Sequence, residues 1–259
     1  MNRIDFRFNK LKEENKKALI PFVTFGTGMT IDETVDLICD MDKKGATVVE
    51  IGVPFSDPLA DGAVIQNCYT NALKDNIKLK DVFEACKSVR EKCEVPLVIM
   101  VYFNIVYCTG IEKFMKLASE AGVDGLIVPD VPLEERSELD SICSKNGIHL
   151  IPLVARTSKD RIAKIVKNAK GFVYCVSTNG TTGERAALDS GTIEYLEHVK
   201  EIVDIPMCIG FGISSKEVVS EVKDHCDGVI VGSAIVKRMG LGKDIVLDFV
   251  KELREGFKE

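Results

Sequence analysis

The 259-residue chain has no tryptophan, only three histidines and only eight prolines. The histidines, His149, His198 and His225, form no H-E-x-x-H and no ligand cluster, so no metal site is expected and a catalytic zinc least of all. Nine cysteines are present, an odd number, and no C-x-x-C occurs among them. Most sit inside apolar periodic segments and read as reduced core thiols of a cytosolic protein. Long apolar runs are missing: no stretch approaches the roughly 18 residues of a membrane span. The opening Met-Asn-Arg-Ile-Asp-Phe-Arg-Phe lacks the apolar centre of a signal peptide, so a soluble, cytoplasmic protein without membrane contact is expected. Basic stretches are missing too. With 34 Lys and Arg against 40 Asp and Glu, net charge −6 and the signs interleaved, nucleic acid is excluded as the main partner.

What is present is an ordinary globular composition, 46% hydrophobic and 29% charged. A chain of this length buries roughly three quarters of its unfolded surface and requires no disulfide or metal to hold it. Short β-rich runs alternate with longer helical patterns along its whole length. Strands are expected at 19–24, 47–51, 97–102, 125–128, 149–154, 171–176, 207–210 and 228–231. Helices are expected at 30–44, 65–74, 79–92, 111–121, 133–146, 159–168, 192–203, 215–225 and 240–257. Thr30 and Glu33 stand at the two positions of a capping box. The strands are almost wholly apolar, as in a parallel sheet covered on both faces. Eight even repeats without a dinucleotide fingerprint on the first turn favour closure over an open doubly wound sheet. The expected fold is α/β: a (β/α)8 TIM barrel, one domain over residues 1–259, with the amphipathic segment 5–15 capping its floor.

In such a barrel, function lies just past the C-terminal ends of the strands. The second of these ends carries Glu50-Ile-Gly-Val-Pro-Phe-Ser-Asp-Pro-Leu-Ala-Asp-Gly62. Glu50 is flanked by Val48, Val49, Ile51 and Val53, where a carboxylate costs several kcal/mol unless it faces a wet pocket or a partner. Asp57 and Asp61 follow in a loop stiffened by Pro54 and Pro58. Glu50 and one of these aspartates form a candidate acid–base pair, since unlike surroundings drive two carboxyl pKa values apart. For either Asp alone, an Asx turn or the approach to a helix is an equally good account. Glycines crowd the last three strand ends, in Gly180-Thr-Thr-Gly183, Gly210-Phe-Gly-Ile-Ser214 and Val231-Gly-Ser-Ala234. Loops after strands 7 and 8 with backbone N–H groups and a Ser each are a recurrent phosphate cradle, one that needs no Lys.

These segments, together with Pro21-Phe-Val-Thr24, Pro129-Asp-Val-Pro132, Tyr174 and Val231-Gly-Ser-Ala-Ile-Val236, carry a resemblance that covers the whole chain. The sequence resembles the tryptophan synthase alpha chain family. The stretch from Pro54 to Gly62 is the most specific part of that likeness; the glycine loops are shared more widely among barrels. The resemblance implies retro-aldol cleavage of indole-3-glycerol phosphate to indole and glyceraldehyde 3-phosphate. It also implies a β chain as partner in an α2β2 assembly, with pyridoxal phosphate held there and no cofactor in this chain. Glu50 would then move protons at the indole carbon and the side-chain hydroxyl, and Asp61 would hold the ring N–H. Phe22, Tyr102 and Tyr174, with Ile65, Leu59 and Leu126, would line the indole slot. Thr182, Gly183, Gly212, Gly232 and Ser233 would hold the phosphate, and Phe55 and Asp57 would meet the partner. Departures from the family pattern fall at Thr27-Gly28, Ala63, Ile105 and Thr178, and spare both carboxylates. Rivals to this reading are a free-standing indole-releasing lyase, an isomerase or epimerase of a sugar phosphate, and an activator of the β chain with a decayed site.

Overall fold

The computed structural model describes residues 1–176, 191–210 and 212–258. Nine parallel strands form one sheet: β1 (Ala18–Thr24), β2 (Val49–Gly52), β3 (Leu97–Met100), β4 (Gly125–Ile127), β5 (His149–Leu150), β6 (Leu153–Ala155), β7 (Val173–Val176), β8 (Met207–Gly210) and β9 (Gly228–Val231). Their order, β5-β4-β3-β2-β1-β9-β8-β7-β6, begins and ends on neighbouring stretches of chain. β5 and β6 are the expected fifth strand, 149–154, interrupted at Pro152, whose ring leaves no N–H for the ladder. The interruption does not open the wall. Ile151 N–H donates to Leu126 O at 2.9 Å on one side, and Tyr174 N–H donates to Pro152 O at 2.9 Å on the other. The sheet closes there into the (β/α)8 barrel.

Strict alternation along the strands divides the apolar residues between two cores. Ile20, Phe22, Val48, Val98, Met100, Ile127, Ile151, Tyr174, Cys208 and Ile230 belong to the core inside the barrel. Leu19, Val23, Val49, Ile51, Leu97, Ile99, Leu126, Val173, Ile209 and Val229 belong to the core between the strands and the outer helices. The N-terminal helix Arg3–Glu13 plugs the floor, as expected from the sequence. It drives Ile4 and Phe8 into the inner core, where the Phe8 and Phe172 rings lie 5.6 Å apart. Below, the buried Asp124 takes Arg3 at 3.1 Å and Arg90 at 2.9 Å, so the plug is pinned by charge as well as by packing.

The helix after β1, Ile31–Lys43, begins on the Thr30–Glu33 capping box. Two short helices have no counterpart in the expected pattern, Phe103–Thr109 after β3 and Ser233–Met239 after β9. Each is too short for a helical period to show in sequence. The expected helix at 159–168 is instead a 3-10 turn over Arg156–Arg161 followed by Ile162–Val166. Ser158 Oγ accepts from Ala155 N–H at 3.0 Å and tightens that start, and Asn168 at φ +64° ends it. After β2 comes Ala63–Lys74, the helix that closes the Asp61 loop. It packs so tightly on Gly26 that a Cβ there would lie 2.1 Å from the Cys68 carbonyl oxygen. No helix among the described residues is long and apolar enough to cross a membrane.

Candidate active site

Glu50 stands on β2 in register with Phe22 of β1 and Val98 of β3, both inner-core residues. The same alternation turns Glu50 inward, and it is 2% exposed. The inner core of the barrel around it is largely apolar, with Ile4, Val48, Val98 and Phe172 among its members. Burial first, and the charge of Asp61 second, push the Glu50 carboxyl up to about 8. At pH 7 it is therefore mainly protonated, a proton donor kept ready by its surroundings.

Asp61 arrives from above, at the end of the β2 loop and two residues before the helix Ala63–Lys74. Its N–H donates to Pro58 O at 3.0 Å, and its own carbonyl accepts from Gln66 Nε2 at 2.8 Å, so the backbone is fixed on both sides. Tyr102, just past β3, fixes the side chain: its hydroxyl donates to Asp61 Oδ2 at 2.7 Å and accepts from Ala60 N–H at 3.0 Å. Burial raises the Asp61 carboxyl to about 6, with the Tyr102 hydrogen bond pulling the other way. Asp61 is thus mainly charged at pH 7 while Glu50 is mainly neutral. Its second oxygen, Oδ1, is buried and has no partner. An acceptor left unmet in such a place costs free energy unless a ligand supplies the donor.

Of the two candidate aspartates, Asp61 is the buried one, 1% exposed. Asp57 is exposed, and its Oδ2 accepts from Ser56 Oγ at 2.5 Å within the loop. Phe55 lies half-buried on Tyr102, ring centroids 5.0 Å apart and stacked at 21°. Phe22, Ile65, Tyr102 and Tyr174 all belong to the inner core and surround the carboxylates. Two expected lining residues do not. Leu126 faces the outer helices, because it alternates with the inward Ile127 on β4. Leu59 is 85% exposed, since the loop turns over Pro58 and points it to solvent. One inner-core residue of this mouth, Tyr69, carries no motif that would have marked it in the sequence; only its spacing of one helical turn from Ile65 hints at a shared face.

At the opposite rim, β9 runs straight through Gly232 into the helix Ser233–Met239. The Ser233 hydroxyl is buried without a partner. Gly212, past β8, has φ +88°, and a Cβ built on it would meet nothing within 4 Å. A Cβ on Gly232 would sit 3.9 Å from both Phe22 and Ile65, so this polar end abuts the apolar slot. Thr182 and Gly183, with Thr178, lie outside the described residues. The arrangement therefore offers an apolar slot, a neutral carboxyl and a charged one at its walls, and a glycine- and serine-lined end where an anion fits.

A family model described as tryptophan synthase alpha chain matches residues 8–256. The chain is 71% identical over 258 residues to the tryptophan synthase alpha chain of Clostridium beijerinckii, covering 100% of both. It is 48% identical to that of Caldanaerobacter subterraneus, covering 98% of this chain and 99% of the relative. Among solved structures, tryptophan synthase of Mycobacterium tuberculosis superposes with a TM-score of 0.91 at 30% identity, covering 100% of this chain and 99% of that one. The alpha subunit from Legionella pneumophila gives 0.88 at 32% identity, covering 99% and 98%. The full-length match and the barrel geometry agree: the chain belongs to the tryptophan synthase alpha chain family, the carbon–carbon lyases that cleave indole-3-glycerol phosphate to indole and glyceraldehyde 3-phosphate.

Proposed function

We propose that Glu50 and Asp61 carry this cleavage, Glu50 by moving the protons and Asp61 by holding the ring nitrogen. The observation that supports it is the opposite protonation of two carboxyls in one apolar mouth, with Asp61 Oδ1 open to a donor. Glu50 gives its proton to indole C3, and positive charge spreads onto the ring nitrogen, where the Asp61 carboxylate accepts the N–H and opposes it. The bond between C3 and the side chain then breaks. Its electrons restore the aromatic ring, the hydroxyl oxygen closes to a carbonyl, and its proton returns to Glu50. The acid leaves the cycle as it entered. Phe22, Tyr102, Tyr174 and Ile65 enclose the indole, excluding water and strengthening both electrostatic contacts.

The pH dependence follows in sign. The reaction needs Asp61 charged, a state lost as pH falls through about 6. It needs Glu50 protonated, a state lost as pH rises through about 8. Plotted against pH, kcat/KM for indole release is expected to be a bell between these two values. A flat profile, or one that climbs steadily through the upper value, contradicts the pairing.

Gly212, Gly232 and Ser233 hold the substrate phosphate in this reading, aided by the first-turn N–H groups after Gly232. Ser233→Asp is expected to weaken substrate and glyceraldehyde 3-phosphate binding together, by about tenfold or more, because a carboxylate would face the anion. Inhibition constants for glyceraldehyde 3-phosphate and for indole separate the ends of the site, and only the first is expected to rise.

Members of this family work with a tryptophan synthase β chain. For this chain the proposal is an α2β2 assembly in the cytoplasm, with pyridoxal phosphate held by the β chain and no cofactor held here. Leu59, 85% exposed, follows Phe55 and the exposed Asp57 on the loop past β2, and Tyr107, 69% exposed, stands on the short helix past β3. Phe55 stacks on Tyr102, and Tyr102 holds Asp61, so a partner gripping this loop also sets the catalytic carboxylate. Adding β chain is expected to raise indole release, since misplacement by about 1 Å can cost on the order of a hundredfold. Asp57→Ala should shift the half-saturating β concentration upward. Equal rates for both proteins at every β concentration favour the free-standing lyase.

A further inference from the structure

Two of the nine cysteines, all of them free thiols, meet outside the site. Cys39 lies on the helix Ile31–Lys43, and Cys93 directly follows the helix Leu79–Lys92, 54 residues further along the chain. Their sulfurs are 2.9 Å apart, the Cys93 thiol donating to Cys39 Sγ. The Cys39 thiol in turn faces the Val89 carbonyl at 3.9 Å, and the Cys93 N–H donates to that same carbonyl at 2.9 Å. An ion pair holds the two segments together beside the thiols. Lys92 Nζ bonds Asp36 Oδ1 at 2.8 Å, joining the residue before Cys93 to one a helical turn before Cys39. Among the described residues no other two thiols are bonded to each other.

The sulfurs of a disulfide stand about 2.05 Å apart, so closing this pair moves them together by less than about 1 Å. Access to the two is unequal. Cys39 is 4% exposed, whereas Cys93, at the helix end, is half-buried and partly open to small reagents. Burial pushes the Cys39 thiol up to about 12, and the bond from Cys93 adds to it, while Lys92 and Lys43 pull the other way. Cys39 therefore keeps its proton while Cys93 is free, and Cys93 is the point of entry. Once Cys93 is capped it donates no bond to Cys39, and a cause of that high value is removed.

We propose that Cys39 and Cys93 are a modification site: a low-molecular-weight disulfide oxidises them to a cross-link that staples two outer helices, away from the catalytic mouth. The Cys93 thiolate attacks the reagent disulfide, forming a mixed disulfide and releasing one thiol. Cys39 then attacks Cys93 Sγ, forming the protein disulfide and releasing the second thiol. Two protein thiols lose two electrons, the reagent gains them, and both protons leave on the released thiols. The cross-link encloses β2 in its loop and restricts the unfolded chain, which favours the folded one. Both cysteines belong to the layer between the strands and the outer helices, on the far side of the wall from the inward Glu50. Cys93 also stands four residues before β3 begins, at the floor end of the barrel.

The test uses the full chain with Cys108→Ser, so that the tryptic peptide 93–113 holds a single cysteine. The protein is equilibrated with glutathione and glutathione disulfide over a range of ratios. Remaining thiols are blocked with iodoacetamide in denaturant, and the tryptic peptides are weighed without reduction. Peptides 18–43 and 93–113 are expected as one linked species. The melting temperature is expected to rise by about 5 °C and to fall back with dithiothreitol. Indole release should stay within about twofold of the reduced protein, on the order of one fold-unit of change for a link outside the site. In Cys39→Ala, Cys93 should stop at the mixed disulfide with glutathione, and the melt should not rise. Both thiols fully blocked at the most oxidising ratio overturn the proposal, as does a mixed disulfide that persists on Cys93 while Cys39 is present. A linked pair with an unchanged or lowered melt, or with indole release lost, overturns the staple remote from the mouth.

Discussion

Glu50→Gln is expected to lower indole release by on the order of a hundredfold to ten-thousandfold while the substrate still binds. The amide keeps the shape of the side chain in its register position beside Phe22 and Val98, and it carries no proton it can give to carbon. Its neighbours are apolar and its pKa is set mainly by burial, so the uncharged amide is also tolerated by the fold. The loss should therefore fall on kcat, with KM close to wild type, the signature of a group that acts in the transition state. Single-turnover measurement at pH 7 distinguishes this from slow product release. A variant that turns over within a fewfold of wild type would end the assignment of Glu50 as the acid.

Asp61→Asn is expected to cost about a hundredfold to a thousandfold, through a different mechanism. No proton is moved by Asp61. What is lost is a fixed negative charge facing positive charge that develops at the ring nitrogen in a site from which water is excluded. An asparagine can keep the contact with Tyr102, which donates to Asp61 Oδ2 at 2.7 Å, so the loop remains in place. The acidic limb of the pH profile should vanish with the group that produces it, leaving a slow enzyme limited only at high pH. Indole itself, which carries the N–H without the reaction, should lose less affinity than the rate loses. Asp57→Asn is the matched control: that residue is exposed, and its replacement should leave the isolated chain's rate unchanged. If Asp61→Asn is silent and Asp57→Asn is not, the roles given to the two aspartates are reversed.

The sequence by itself determined the barrel. Apolar strands alternating with amphipathic helices leave a parallel sheet as the way to satisfy both, and crossovers of this length dictate its handedness. The anomaly at Glu50 was also legible, because a carboxylate between Val49 and Ile51 has no cheap place in a strand. The capping box at Thr30 and Glu33 and the plug formed by the first helix were legible for the same kind of reason: a local pattern with a local cause.

What the tertiary structure alone decided concerns direction. In a barrel both strand faces are apolar, so alternation shows which residues share a face and cannot show which face is inside. Leu126, an expected lining residue of the slot, faces the outer helices. The choice between Asp57 and Asp61 was open because turn chemistry suits both. What distinguishes them in the fold is Tyr102, a residue 41 positions away whose hydroxyl bonds the Asp61 carboxylate. Proton states have the same origin. Values of about 8 and about 6 arise from burial in an inner core assembled from strands and helices far apart in the chain. Tyr69 is a further instance: its oxygen ends at Gly52, where the missing side chain of one element makes room for the polar tip of another. No period or motif records such a meeting, because it exists only when β2 and its following helix are packed together.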